Sequence, residues 1–249
     1  MTGDQHGFSI RCEWGEQGIV RLAPVSDVVI VVDVLSFSTC VSAACTRGAT
    51  VFPYRWKDDS ALAFARSQGA ALAGPRETGG FSLSPVSLAA LAPGTRLVLP
   101  SPNGATLALA AGKVPTLAGC LRNAAAVAQA AVRLGRTFAV IPAGERWPSD
   151  GSLRPAAEDL IGAGAIIRHR PGTLSPEAGL ALAAFHASQA DLNAVLRDCV
   201  SGQELVDRGF DEDIGFSARL DVDDGAPLLR DGAFQAFRQT GATPAASPS

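Results

Sequence analysis

The chain has 249 residues, of which 47% are hydrophobic and 18% charged, and its net charge is -3. The charged share is below the ~25% of ordinary globular domains, so much of the chain must be buried. A weakly acidic pI of about 5.6, without any basic stripe, excludes the electrostatic footprint of a nucleic-acid binder, and no apolar run approaches the ~20 residues of a membrane span.

The five cysteines are odd in number and form no C-x-x-C pair, which argues for reduced thiols in a cytoplasmic compartment. Asp4 and His6 stand where a signal peptide would carry its basic stretch, so none is expected.

Val28 to Val32 is an unbroken β-branched run, the pattern of a strand buried on both faces. A helix is expected from Ser38, stopping at Gly48, then a strand over Thr50–Tyr54. Asp58 or Asp59 caps a helix through Gln68, ended by Gly69. Short strands follow at Ala70–Ala73 and Thr95–Leu99, then a helix from Ala105. A strand at Thr116–Ala118, a helix over Ala124–Leu134 and a strand at Thr137–Ile141 complete the alternation. Such alternation implies an α/β fold with a mainly parallel sheet flanked by helices.

Beyond Ile141 the texture becomes helical. Helices are expected at Pro155–His169, Pro176–Ser188, Ala190–Cys199 and Gln203–Arg208, with a returning strand at Gly215–Val222. Gly162 and Gly164 disfavour a helix by about 1 kcal/mol each, so close packing is expected there. Residues 1–141 then form the sheet portion with most site loops. Residues 142–240 form a helix-rich portion packed on it, open to reading as a second subdomain, and 241–249 a disordered tail.

In parallel sheets, ligands bind beyond the carboxyl ends of the strands. Those loops carry Asp33 and Ser36, then Arg76, then Asn103-Gly104, then Asn123, then Gly144-Glu145. Asp33 directly follows five β-branched residues and must find a partner or a metal. It is suited to hold Mg²⁺ or attack phosphorus, and capping the next helix is the plain alternative.

Glu158 and Asp159 open a helix, where the dipole favours negative charge, and adjacent residues point different ways, so one of them is expected to face a site. Arg76 between glycines has a fork that suits a phosphate or sulfonate. Asn103-Gly104 offers backbone donors at a helix start. The scattered histidines His6, His169 and His186 exclude zinc spacing, and neither a G-x-S-x-G elbow nor a phosphate loop is present.

In order and spacing, these pieces resemble the 2-phosphosulfolactate phosphatases over about Val28 to Leu229. Val31-Val32-Asp33-Val34-Leu35 is similar to that family's V-I-D-V-L, and Ala73-Gly74 with Arg76 and Gly79-Gly80 to its A-G-E-R-G-G. Pro102-Asn103-Gly104 is similar to its T-N-G-T, Gly119 to Ala124 to its G-S-F-L-N-A, and Glu158-Asp159 to its E-D segment. Ser36 stands where the family has arginine, Pro75 where it has glutamate, and Ser201 where it often has histidine.

The resemblance implies Mg²⁺-dependent hydrolysis of a small anionic phosphate monoester, 2-phosphosulfolactate. Asp33, Glu158 and Asp159 would be the catalytic and metal-binding carboxylates. Ser36, Arg76, Asn103, Gly104 and Asn123 would be the substrate-binding residues. The expected partner is the phosphoester itself, with no nucleic acid and no membrane, and a homodimer is left open. A divergent member that binds an anion without catalysis is the alternative. A haloacid-dehalogenase-like enzyme fits less well, because Leu35 stands where that class has a second acid.

Overall fold

The computed structural model describes residues 3–56 and 58–237, so the tail expected at 241–249 lies outside the described residues. The strands are β1 (Ile10–Cys12), β2 (Val28–Val32), β3 (Thr50–Tyr54), β4 (Ala71–Leu72), β5 (Arg96–Pro100), β6 (Thr116–Gly119), β7 (Phe138–Pro142), β8 (Glu145–Arg146), β9 (Leu153–Arg154), β10 (Pro227–Arg230) and β11 (Ala233–Ala236). The helices between them are α1 (Gly15–Leu22), α2 (Phe37–Thr46), α3 (Asp59–Ser67), α4 (Pro85–Leu88), α5 (Gly104–Ala110), α6 (Ala124–Leu134), α7 (Ala157–Ile167), α8 (Pro176–Ser188), α9 (Leu192–Asp198), α10 (Val200–Asp207) and α11 (Asp211–Ser217).

Nine strands form one mostly parallel sheet in the order β1-β7-β2-β6-β10-β11-β3-β5-β4, while β8 and β9 pair separately. This is the expected α/β class. A parallel block, β1-β7-β2-β6, and a second, β3-β5-β4, are joined by the antiparallel hairpin β10-β11. The last described strands of the chain therefore sit inside the sheet rather than beside it.

Followed through the hairpin, the pairing signs set the two blocks in opposite senses. Their carboxyl-end loops nonetheless meet, since Gly104 after β5 donates to Asp33 after β2 at 3.0 Å.

The β-branched run of β2 is buried at all five positions, at the centre of the first block. Two apolar layers cover the sheet. One is built on Val28, Ile30 and Val32 with α6, α7 and α8; the other is built on Val29 and Val31 with α2 and α5. Alternation along one strand thus feeds both faces.

Gly162 and Gly164 are packing glycines, as expected. A Cβ on Gly162 would lie 2.6 Å from Val34 Cγ2, and one on Gly164 would overlap the Ala181 carbonyl of α8.

One expected element is corrected. Gly215–Val222 is not a strand, because α11 runs over Asp211–Ser217 and irregular chain follows. Three acids, Asp211, Glu212 and Asp213, occupy its first turn, where the dipole stabilises negative charge. Other bounds shift slightly: α7 begins after an Ala156 cap, with Pro155 just outside.

Candidate active site

The β2 strand delivers Asp33 to a buried position, and both carboxylate oxygens are engaged. Oδ1 accepts the Phe37 N–H that opens α2 at 2.9 Å, and Oδ2 accepts the Gly104 N–H that opens α5 at 3.0 Å. Helix capping, the plain alternative for Asp33, is thus present, and it ties two helix starts to one carboxylate. The Asn103-Gly104 cradle is correspondingly occupied by Asp33 itself at its Gly104 N–H.

Gly104 has to be glycine here, since a Cβ would sit 2.7 Å from Asp33 Oδ2 and overlap the Phe37 ring. Gly104→Val is expected to cost ~1–3 kcal/mol of stability and to displace Asp33. A denaturant midpoint and phosphatase rates measured together check both effects.

Asp33, Ser36, Arg76 and Asn103 line one cavity of about 210 Å³ together with Ser101, Glu145 and the α10 residues Ser201 and Glu204. Four predicted residues from three separate loops are therefore brought together. Arg76 Nη2 donates to Ser36 Oγ at 2.8 Å. Its Nε faces Asp213 Oδ2 at 3.3 Å, an ion pair outside hydrogen-bond alignment. Asp213 also accepts from Ser84 Oγ at 2.5 Å, so the arginine is anchored before any ligand arrives.

Glu158 and Asp159 are both buried, at 2% and 3% exposure, so neither lies on a solvated face. Asp159 ties loops together, accepting from Val34 N at 2.7 Å and Gly144 N at 2.9 Å. Glu158 differs, because its Oε2 is buried without a hydrogen-bond partner.

Asn123 is not brought to the cavity. Its side chain is fully buried, accepting from Cys120 N at 2.9 Å and donating to Ala118 O at 3.2 Å. Those bonds shape the turn before α6, which accounts for an asparagine there. The neighbouring Arg122 is likewise internal, paired with Asp223 at 2.8 Å.

Sequence reasoning placed Glu145 on a strand-end loop but gave it no role at the site. It projects from β8 at the cavity wall, and its Oε2 accepts from Asn103 Nδ2 at 2.7 Å. Burial first, then the charge of Asp33, pushes its carboxyl up to about 7. Burial also pushes Asp33 up to about 6, with Glu158 adding to the rise while the Phe37 and Gly104 N–H bonds and Arg76 oppose it. Asp159 is raised as well, by burial first and then by the charges of Glu158 and Asp33. Several carboxyl groups thus lie close enough to raise one another's proton affinity.

Also on the cavity wall, and given no role from the sequence, are Ser201, Glu204 and Leu205 of α10 and Arg208 just beyond it. Their i, i+3, i+4, i+7 spacing marks one helix face, a signal readable from sequence.

Among the described residues, no three His, Cys, Asp or Glu side chains form a ready metal cluster. Mg²⁺, however, is commonly held by one or two carboxylates, with waters and substrate phosphate completing its octahedron. The unpartnered Glu158 Oε2 and the mutual repulsion around Asp33 fit that mode of binding.

A family model described as 2-phosphosulpholactate phosphatase matches residues 19–232. The chain is 30% identical to the 2-phosphosulfolactate phosphatase of Methanothermobacter thermautotrophicus, covering 86% of this chain and 92% of that one. It is 30% identical to a probable 2-phosphosulfolactate phosphatase of Carboxydothermus hydrogenoformans, over 80% and 84% of the two chains. A probable 2-phosphosulfolactate phosphatase of Thermus thermophilus is 32% identical over 82% and 88%. These matches place the chain among the phosphoric monoester hydrolases. The chain belongs to the 2-phosphosulfolactate phosphatase family.

Proposed function

We propose that the chain is a Mg²⁺-dependent phosphatase that hydrolyses 2-phosphosulfolactate to sulfolactate and phosphate. The observation that carries this reading is the cavity itself, where an anchored guanidinium, Arg76, shares the lining with buried Asp33 and half-buried Glu145 around space for one small ligand.

The physical task is to neutralise a phosphate dianion and align a nucleophile behind phosphorus. Arg76 and Ser36 bind phosphate oxygens. Asp33 and Glu158 would hold the cation, and Asp159 keeps the Val34 and Gly144 loops in place around them. Bound there, Mg²⁺ supplies positive charge that offsets the ester's charge in the transition state.

Both Asp33 oxygens accept main-chain N–H bonds, which reduces the electron density available for attack, so the ligand role is favoured over the nucleophile role. Glu145, oriented by Asn103, takes a proton from the attacking water, and its near-neutral proton affinity suits a general base.

Five free thiols, four of them buried, are in keeping with a reducing, cytoplasmic setting. No described helix is long and apolar enough to cross a membrane.

A panel of phosphate monoesters tested with Mg²⁺ checks the substrate. The expected outcome is a kcat/KM for 2-phosphosulfolactate at least about tenfold above that for uncharged-tail monoesters, a margin equal to ~1.4 kcal/mol. A flat panel, or ligand binding without phosphate release, would instead support a divergent anion-binding protein.

A further inference from the structure

The cavity that holds Asp33 and Arg76 is bordered by a second space of about 420 Å³, and Arg76, Leu83 and Arg208 line both. Arg208 follows the last residue of α10 and was not among the residues expected at the site. Its guanidinium lies 5.4 Å from the centre of the Phe210 ring, and that of Arg76 lies 5.7 Å from the same ring. One aromatic side chain therefore seats two guanidiniums at the junction of the two spaces, an arrangement favoured by the ring's negative face.

The two arginines are held differently. Arg76 is 11% exposed and is fixed by buried Asp213 and by Ser36. Arg208 is 52% exposed, and its ionic partner is Glu77 at 2.7 Å, itself 56% exposed. A pair this exposed is weak and readily exchanged.

The acid on the cavity-facing side of α10, Glu204, is engaged through both oxygens by Arg154 Nη2 at 3.2 Å. Across the second space, Asp58 and Asp59 carry the remaining negative charge. Among these groups Arg208 is the cation with donors free to turn toward the cavity.

We propose that Arg208 forms a second anion subsite that holds a non-reacting carboxylate or sulfonate of the substrate while Arg76 holds the phosphate. The phosphate end is located by the phosphatase reading above, whereas the subsite itself stands on the shared lining, the Phe210 seat and the exchangeable Glu77 pair. It selects phosphate monoesters that carry a further acid group close to the ester carbon. Arg208 turns from Glu77 to the incoming anion, so binding trades one exposed ion pair for a more enclosed one.

The test is calorimetric binding of sulfolactate, which has the acid groups without the phosphate, and of inorganic phosphate, to the full chain. Arg208→Gln is expected to weaken sulfolactate about tenfold and phosphate by less than about twofold, with Arg208→Lys recovering part of the loss. Glu77→Gln breaks the same ion pair but keeps the arginine, and is expected to retain or tighten sulfolactate binding. Equal losses for both ligands, no loss in Arg208→Gln, or the same loss in Glu77→Gln would overturn the proposal. Because binding is read without turnover, absence of phosphate release would count against the phosphatase reading and leave this subsite to be judged on its own.

Discussion

Asp33→Asn is expected to lower phosphate release by roughly a thousandfold or more, the scale on which loss of a central catalytic group acts. The change is nearly isosteric, so volume is not the cause. The wild-type carboxylate accepts N–H bonds at both oxygens, from Phe37 and Gly104. An amide offers one acceptor, and its NH₂ must face one of those donors. One helix start is left unsatisfied, which costs ~1–3 kcal/mol for a buried group, and the charge that would hold a cation is gone. Steady-state rates with a parallel thermal melt separate the two effects. A folded variant with near-normal turnover would remove Asp33 from the mechanism.

The second large effect is on stability. Without divalent cations, the protein is expected to lose stability as pH rises from about 5 to about 8, and Mg²⁺ to restore it. Asp33 rises from 3.8 to about 6 and Glu145 from 4.5 to about 7, both chiefly through burial. A carboxyl whose pKa is raised by folding holds its proton more tightly in the folded state. Its contribution is therefore fully present below the unfolded value and is lost as pH climbs through the folded one.

A shift of about two units corresponds to roughly 3 kcal/mol, and in a chain of this size each kcal/mol moves Tm by about 2–4 °C. Mg²⁺ is thus expected to raise Tm by roughly 5–10 °C at pH 8 and much less at pH 5. Asp27, lowered first by N–H bonds from Arg136 and Thr137, acts in the opposite sense but in a window below about pH 4, so it does not mask the effect. Equal Mg²⁺ shifts at both pH values would show that the raised carboxyls of Asp33 and Glu145 do not set this dependence.

Much of the first sheet block was legible because local signals there agree. The β-branched run of β2, the glycine stop after α2 and the alternation through β7 each predict what is found. The central hairpin was not legible, because β10 and β11 are four residues each and take their place from long-range pairing with β6 and β3.

The same division holds at the site. Asp33, Ser36, Arg76 and Asn103 were singled out because strand-end loops in this class carry ligands, and one cavity gathers them. Asn123 fits the same rule in sequence, yet its amide is consumed in its own turn, a distinction only coordinates make. Glu145 lies three residues beyond β7 on the β8–β9 ladder, on a strand-end loop the sequence did mark, but its bond to Asn103 spans 42 positions, so no local pattern assigns it a role. Arg208 lies at the end of a helix whose cavity-facing side was readable by spacing, but the cavity it faces was not.

The most direct measurement is inorganic phosphate released from 2-phosphosulfolactate by chelator-treated protein, before and after adding Mg²⁺. Negligible release is expected before, and turnover that appears with Mg²⁺ and vanishes in Asp33→Asn. Release that is unchanged by chelation, or absent with Mg²⁺ present, would rule out a Mg²⁺-dependent phosphatase built on Asp33.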